Sequence, residues 1–270
     1  MKEIFSANGA VGAFNVIQIE HAEALTRAAL AAELPIILQI SENAVKYHGS
    51  LKPISIATKA IIEESGAQAY LHLDHAEDTE LVRQALDLGF DSVMFDGSKL
   101  DFAQNVKTSN LMAELAHKQG ALIELELGEV GGKDGVHAAG ARTNPNEAKD
   151  FIEQTNADLL AVAVGSSHAM ITRDAKLDFQ LINDLAAAVP VPLVLHGSSG
   201  VSDLDIQEAI RSGMKKINIA THLNNVFTAS VRATLDADPK LVDTRKYLKP
   251  AREAVTNETE RLLRVLNLQK

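Results

Sequence analysis

Tyr70-Leu71-His72-Leu73-Asp74-His75 packs an apolar extended run, a carboxylate and two imidazoles into six residues. Read as a β-strand, it sends alternate side chains to opposite faces. His72 and Asp74 then share one face, and Leu71, Leu73 and His75 take the other unless the strand ends at Asp74. Glu77 and Asp78 follow at once and open a helix. A strand with a polar end that feeds a helix places those polar residues at the carboxyl edge of a parallel sheet, where α/β proteins assemble active sites.

The same unit recurs on either side. Gly12–Ile17 and Pro35–Ile40 read as the first two strands, with Ser41-Glu42-Asn43 just past the second. Glu20–Ala32 and Ile54–Ser65 have helical spacing, the latter stopping at Gly66. After Tyr70–Asp74 come a helix over Thr79–Leu88, a strand over Ser92–Asp96 and a helix over Phe102–Lys118. Leu122-Ile123-Glu124-Leu125-Glu126-Leu127 alternates strictly, so Glu124 and Glu126 point to one side. A glycine-rich segment, Gly128–Asn144, is longer than an ordinary βα connection, and such loops are usually functional. Pro145 and Glu147 start another helix, and Leu159–Val164, Val191–Leu195 and Lys216–Thr221 complete the strands. The last fifty or so residues read as helices, including Ala251–Leu266, with Tyr247-Leu248-Lys249-Pro250 as a joint.

Eight strand–helix units with no linker, low-complexity tract or charge block between them predict one domain over residues 1–270. Its expected form is a (β/α)8 TIM barrel with extra C-terminal helices. An open doubly wound sheet would need a Gly-rich turn after strand one, and none is present.

Bulk properties agree. The 270 residues are 46% hydrophobic and 23% charged, enough for a full core. There is no cysteine, which excludes disulfides and thiolate metal sites. A net charge of -10 argues against nucleic-acid binding, and an anionic substrate must be held by a local arrangement of groups. Met1-Lys2-Glu3-Ile4-Phe5 does not resemble a signal peptide, and no run approaches the roughly 20 apolar residues of a membrane span. A soluble cytoplasmic protein with no membrane partner is expected.

Three histidines stand at or just beyond strand ends: His75, His168 and His196. In a barrel these points surround one mouth. Three imidazoles with an open position form the ligand set of a catalytic zinc ion, and no thiolate competes here. Any one of them alone reads equally as a hydrogen-bonded strand-end histidine. His72 is expected to support the site from behind, and His21, His48, His117, His137 and His222 carry no partner pattern. Gly197-Ser198-Ser199-Gly200 leads into a helix opening at Ser202-Asp203, where free backbone N–H groups suit an anion. Asn218 and Thr221 end the neighbouring strand, and barrel enzymes often hold phosphate between strands seven and eight.

Four segments, His72-Leu73-Asp74-His75, Gly165-Ser166-Ser167-His168, Leu195-His196-Gly197-Ser198-Ser199-Gly200 and Asn218-Ile219-Ala220-Thr221, resemble the signatures of the class II, zinc-dependent ketose-bisphosphate aldolases. That family includes fructose-1,6-bisphosphate and tagatose-1,6-bisphosphate aldolases. The resemblance runs in order from Gly12-Ala13-Phe14-Asn15 to Asp243-Thr244-Arg245-Lys246-Tyr247. It implies reversible aldol cleavage of a phosphorylated ketose to dihydroxyacetone phosphate and an aldehyde. It also implies that His75, His168 and His196 bind zinc with Glu126 nearby, and that Asp74 is the acid/base at the C4 hydroxyl. Gly165, Arg173, Gly197, Ser199, Asn218 and Thr221 match phosphate- and substrate-holding positions, and Asn15 and Ser41 match substrate contacts. A monovalent cation, Na⁺ or K⁺, beside the phosphate and a homodimer or homotetramer are further implications. In some members a C-terminal basic residue reaches a neighbouring subunit's site, a part open here to Lys249 or Arg245.

Retro-aldol cleavage needs a second acid/base, and the glycine-rich loop is expected to bring it in as Asp134. The family usually has Glu there. Further departures are Ala169 in place of a Gly, Arg173 displaced by one position, Ala220 in place of an Asp as in tagatose-type members, and Lys99 in place of a frequent His. Fructose 1,6-bisphosphate, tagatose 1,6-bisphosphate, a deoxy-keto-gluconate phosphate and a sulfofructose phosphate therefore stay open as substrates. A Schiff-base aldolase would need a lysine inside the barrel, and Lys215 and Lys216 are read as lying at the entrance of the last strand. A metal-dependent hydrolase and an inactive partner subunit are the remaining alternatives.

Overall fold

The computed structural model describes residues 1–6, 8–127, 142–166, 173 and 175–269. His168 and Asp134 lie outside the described residues. The first half of the chain runs β1 (Val11–Asn15), α1 (Ile19–Ala32), β2 (Ile36–Ser41), α2 (Glu42–His48), α3 (Lys52–Ser65), β3 (Ala69–Ala76), α4 (Thr79–Asp87), β4 (Ser92–Phe95) and α5 (Phe102–Lys118). It continues through β5 (Leu122–Glu126), α6 (Pro145–Gln154), β6 (Leu159–Ala161), α7 (Phe179–Ala188), β7 (Leu193–Leu195), α8 (Asp203–Ser212), β8 (Met214–Ile219), α9 (Thr221–Ala237) and α10 (Thr244–Leu266). The eight strands are parallel, follow one another in order and close where β1 pairs β8 through Ala13 opposite Asn218. The expected (β/α)8 TIM barrel is the observed fold.

Strand alternation sorts the apolar residues into two cores. Phe14, Leu38, Leu71, Leu73, Ile123, Leu160, Leu195 and Ile217 face outward into the layer shared with the helices. Their neighbours Ala13, Ile37, Met94, Ala161 and Val194 fill the barrel itself. A 3-10 helix, Lys2–Ser6, closes the amino-terminal mouth by burying Ile4 and Phe5 on that inner core. Lys2 pairs with Asp158, just ahead of β6, at 2.6 Å. Burying two such side chains stabilises the closure by roughly 1.5–3 kcal/mol each. That end of the barrel is thus plugged, and the carboxyl end is left for chemistry.

Several helix starts follow from local chemistry. Ser41, Asp78, Asp101, Asn144, Asp178, Ser202 and Asp243 each accept a backbone N–H of the first turn. Ser41, at the end of β2, caps the start of α2. One expectation is corrected. Tyr247–Pro250 is not a joint: α10 is continuous with Pro250 inside it. Pro250 is the seventh residue of the helix, and its missing N–H frees only the carbonyl of Lys246, an exposed residue. Among the described residues no helix is long and apolar enough to cross a membrane.

Candidate active site

Asp74 and His75 are consecutive, yet both line the cavity at the carboxyl end of the barrel. A regular strand forbids this, since neighbours face opposite ways. The register between β3 and β4 shifts between Leu73 and Ala76, and His75 adopts a left-handed backbone conformation with φ of 50°. Such a bulge re-aims one side chain at the rim of a barrel. A non-glycine residue held at positive φ carries a conformational cost of order 1–3 kcal/mol. The cost falls on a residue whose imidazole it turns toward the site.

There the His75 ring meets His196, which follows β7. His75 Nε2 lies 2.8 Å from His196 Nδ1, with the ring centroids 4.4 Å apart. The remaining nitrogen of each ring is held by a carboxylate: His75 Nδ1 by Asp96 Oδ2 at 3.0 Å and His196 Nε2 by Glu124 Oε1 at 2.8 Å. Carboxylates accept, so those nitrogens carry protons, and the nitrogens that face each other, His75 Nε2 and His196 Nδ1, are the pair that would meet a cation. Burial opposes charge on His75, but Asp74, Asp96 and Glu126 together outweigh it and push the ring up to about 10. Burial and the charge of His75 hold His196 well below the ordinary histidine range. Without a metal the two rings thus share one proton, at the place where a cation fits. Asp74, His75 and His196 bring ligand atoms within 4.8 Å of one another, as do His75, Asp96 and Glu126. Two imidazoles backed by carboxylates are the donor set and outer shell of a zinc site, so the residues present fit a divalent ion.

Asp74 is buried and fixed by amides. Asn15 Nδ2 and Gln39 Nε2 each donate to Oδ2 at 3.3 Å, and Asn218 Nδ2 donates to Oδ1 at 3.3 Å. Gln39 Nε2 also donates to Asn15 Oδ1 at 2.7 Å. The amides reach Asp74 from staggered positions on β1, β2 and β8: Asn15 opposes Gln39, Gln39 opposes His72, Ser41 opposes Asp74 and Asn218 opposes Ala13. The Oε1 of Gln39 and the Oδ1 of Asn218 are buried with no hydrogen-bond partner among the described residues.

Beside them lies the turn after β7. Gly197 takes φ of 68°, a conformation glycine adopts freely, and leads into a single 3-10 turn, Ser198–Gly200. Ser199 Oγ accepts the N–H groups of Ala220 and His222 at 3.3 and 3.2 Å, tying this turn to the start of α9. Gly197, Ser199, Asn218 and Thr221 all line the cavity, whose volume of about 410 Å³ suits a small phosphorylated metabolite. Asn15 and Ser41 line it from the opposite side.

Other expected residues lie elsewhere. Glu126 is buried behind His75, with Oε2 4.0 Å from Nδ1. Gly165 has φ of 113°, and a Cβ there would collide with the carbonyl of Lys176, so backbone packing by itself requires glycine at this position. Arg173 is held by the Val201 carbonyl at 2.8 Å and by Asp203 at 2.6 Å. Lys249 is exposed on α10 and stands 4.0 Å from Glu253. None of these four lines the cavity. Lys216 corrects the expectation that it lies at the entrance of β8: it is 1% exposed inside the barrel, with Nζ 2.6 Å from Glu124 Oε2. No lysine lines the cavity among the described residues, so the Schiff-base alternative gains nothing from it.

The residues that sequence reasoning left without a role are Asp96, Glu124, Gln39 and Lys216. A signal existed for two of them. Glu124 shares the parity of Glu126, and Lys216 shares that of Asn218.

An ion network ties α10 to α8 and α9. Arg261 bridges Glu258 at 2.7 Å and Asp203 at 2.5 Å, while His222 Nε2 lies 2.6 Å from Glu258. Burial works against its charge, but Arg261 and His222 pull Glu258 down to about 2. A lowered carboxylate stabilises the fold fully above its unfolded value near 4.5, and the gain is lost as pH falls toward 2. Glu258→Gln is therefore expected to lower Tm at pH 7, with the gap from the parent narrowing from pH 5 to pH 3. A gap independent of pH in thermal scans refutes the ionic role.

The family model described as class-II fructose-bisphosphate aldolase matches residues 1–270. A fructose-bisphosphate aldolase of Thermus caldophilus is 40% identical over 91% of this chain and 88% of its own length. A protein of Bacillus subtilis described as a probable fructose-bisphosphate aldolase is also 40% identical, with the same coverage. The crystal structure of the YdjI aldolase from Escherichia coli K12 superposes with a TM-score of 0.83 at 28% identity, covering 98% of this chain and 93% of that one.

Proposed function

The chain belongs to the class-II fructose-bisphosphate aldolase family of lyases, and from that premise we propose that it cleaves fructose 1,6-bisphosphate or a close ketose phosphate reversibly to dihydroxyacetone phosphate and an aldehyde. The observation that carries this reading is the pair of imidazole nitrogens 2.8 Å apart with the Asp74 carboxylate beside them. His75 and His196, joined by His168 from outside the described residues, are the residues that would hold zinc. Bound there, Zn²⁺ supplies the Lewis acid that stabilises negative charge developing on the ketose oxygen.

The chain's own groups do the rest. Asp74 takes the proton of the C4 hydroxyl, so that the C3–C4 bond breaks and its electron pair stays with the dihydroxyacetone phosphate half. Asn15, Gln39 and Asn218 hold Asp74 in line for that transfer. Gln39 Oε1 and Asn218 Oδ1 accept substrate hydroxyls, the donors that these buried oxygens otherwise lack. Gly197, Ser199 and Thr221 hold the phosphate at the turn after β7 and the start of α9, where Asn218 also points. Ser41 and Asn15 orient the sugar from the facing wall, with Glu126 supporting the metal histidines. Asp134 returns the proton to the dihydroxyacetone phosphate carbon. A monovalent cation beside the phosphate, assembly as a homodimer or homotetramer and a cytoplasmic location belong to the same reading.

A coupled assay for dihydroxyacetone phosphate over a panel of phosphorylated ketoses, with fructose and tagatose 1,6-bisphosphates included, tests it. Cleavage is expected to vanish on chelation and return with zinc. Phosphate release without dihydroxyacetone phosphate points instead to a hydrolase. Zinc bound with no ketose cleaved points to an inactive partner subunit.

A further inference from the structure

We propose that Lys216 is a positioning residue for the metal centre, holding Glu124 so that this carboxylate fixes the ring of His196. The proposal rests on the zinc reading above. Four side chains, Lys216, Glu124, His72 and His196, are linked inside the barrel, and of these His196 lines the cavity. Lys216 Nζ lies 2.6 Å from Glu124 Oε2, and Glu124 Oε1 lies 2.8 Å from His196 Nε2. The same ammonium reaches His72 Nε2 at 3.3 Å, and His72 Nδ1 lies 2.7 Å from Ser92 Oγ. All four, and the Ser92 anchor with them, are at most 1% exposed.

Stability does not explain such an arrangement. The interior of a barrel is ordinarily filled by branched apolar side chains, and a buried ion pair is often no better for stability than an apolar replacement. What the pair supplies is geometry. Glu124 has two oxygens and spends one on each neighbour, so its plane is set from both sides. With Lys216 gone, His72 Nε2 stands 3.8 Å from Oε2 as another partner. Rotation toward it draws Oε1 away from His196 and releases the ring that must aim Nδ1 at the ion. Outer groups of this kind typically alter metal affinity by 10–100-fold.

The test uses the full chain with Lys216→Met and with Lys216→Met/Glu124→Gln. Zinc Kd is read by competition with a chromophoric chelator, ligand geometry by the visible spectrum of the cobalt(II)-substituted protein, and stability by Tm of the metal-free protein. Lys216→Met is expected to raise zinc Kd by roughly 10–100-fold and to shift the cobalt bands. The double variant is expected to regain Tm, because no buried charge is left unpaired, while its zinc affinity stays low. Should Lys216→Met fail to fold, the double variant still reports on positioning. Wild-type zinc affinity and cobalt bands in either variant would overturn the proposal. Failure of the parent protein itself to bind zinc would instead remove the metal reading.

Discussion

Asp74→Ala is expected to lower kcat by roughly 10²–10⁴-fold, the range supplied by a positioned acid/base, with a much smaller change in KM. The carboxylate is buried and held by three amide nitrogens at 3.3 Å. That much preorganisation on one side chain serves proton transfer, which requires an oxygen within hydrogen-bond reach of the reacting hydroxyl. In the proposed function substrate binding draws on other cavity-lining groups, mainly Ser199, Gly197 and Thr221. The two parameters should therefore separate. Steady-state kinetics with the best ketose phosphate, alongside zinc content, provide the measurement. Wild-type kcat in the zinc-loaded variant removes Asp74 from the reaction.

His196→Ala is expected to have the larger effect. It deletes one of the two imidazole nitrogens that meet at 2.8 Å, and it strips Glu124 of the partner that its Oε1 holds. Losing an outer-shell partner costs a metal site roughly 10–100-fold in affinity, and losing a ligand costs more. Zinc measured by mass spectrometry of the dialysed protein should fall below one ion per chain, with cleavage at background. His75→Ala should behave alike, and the positive-φ cost at residue 75 stays, because alanine also carries a Cβ. Retained stoichiometric zinc with active cleavage in either variant is the result that refutes these ligand assignments. The pair of experiments also separates roles: Asp74→Ala keeps zinc and loses turnover, whereas His196→Ala loses both.

The arrangement follows from the closure of the barrel. In a parallel sheet every strand points its last residues to the same rim, so residues from β1, β2, β3, β7 and β8 converge although up to 144 positions separate partners such as Asp74 and Asn218. Because the opposite rim is plugged by Ile4 and Phe5, polar groups gather where solvent and substrate can reach them.

Much of this was legible in the sequence because its causes are local. Alternation of period two along Leu122–Leu127 reflects backbone geometry, and helix starts at Asp101 and Ser202 reflect side-chain capping. Histidines at strand ends and the small-residue turn Gly197–Gly200 mark the active rim for the same reason. Tertiary structure decided the rest. Strand alternation assigns His75 to the wrong face, and only pairing of β3 with β4, with its shifted register, turns the ring inward. Glu124 meets His196 across 72 residues and Lys216 across 92, contacts set by barrel register rather than by anything near them in the chain. Arg173 meets Asp203 at 2.6 Å, a contact between residues 30 positions apart. Residue order determines which atoms a strand offers; closure of the sheet determines which of them meet.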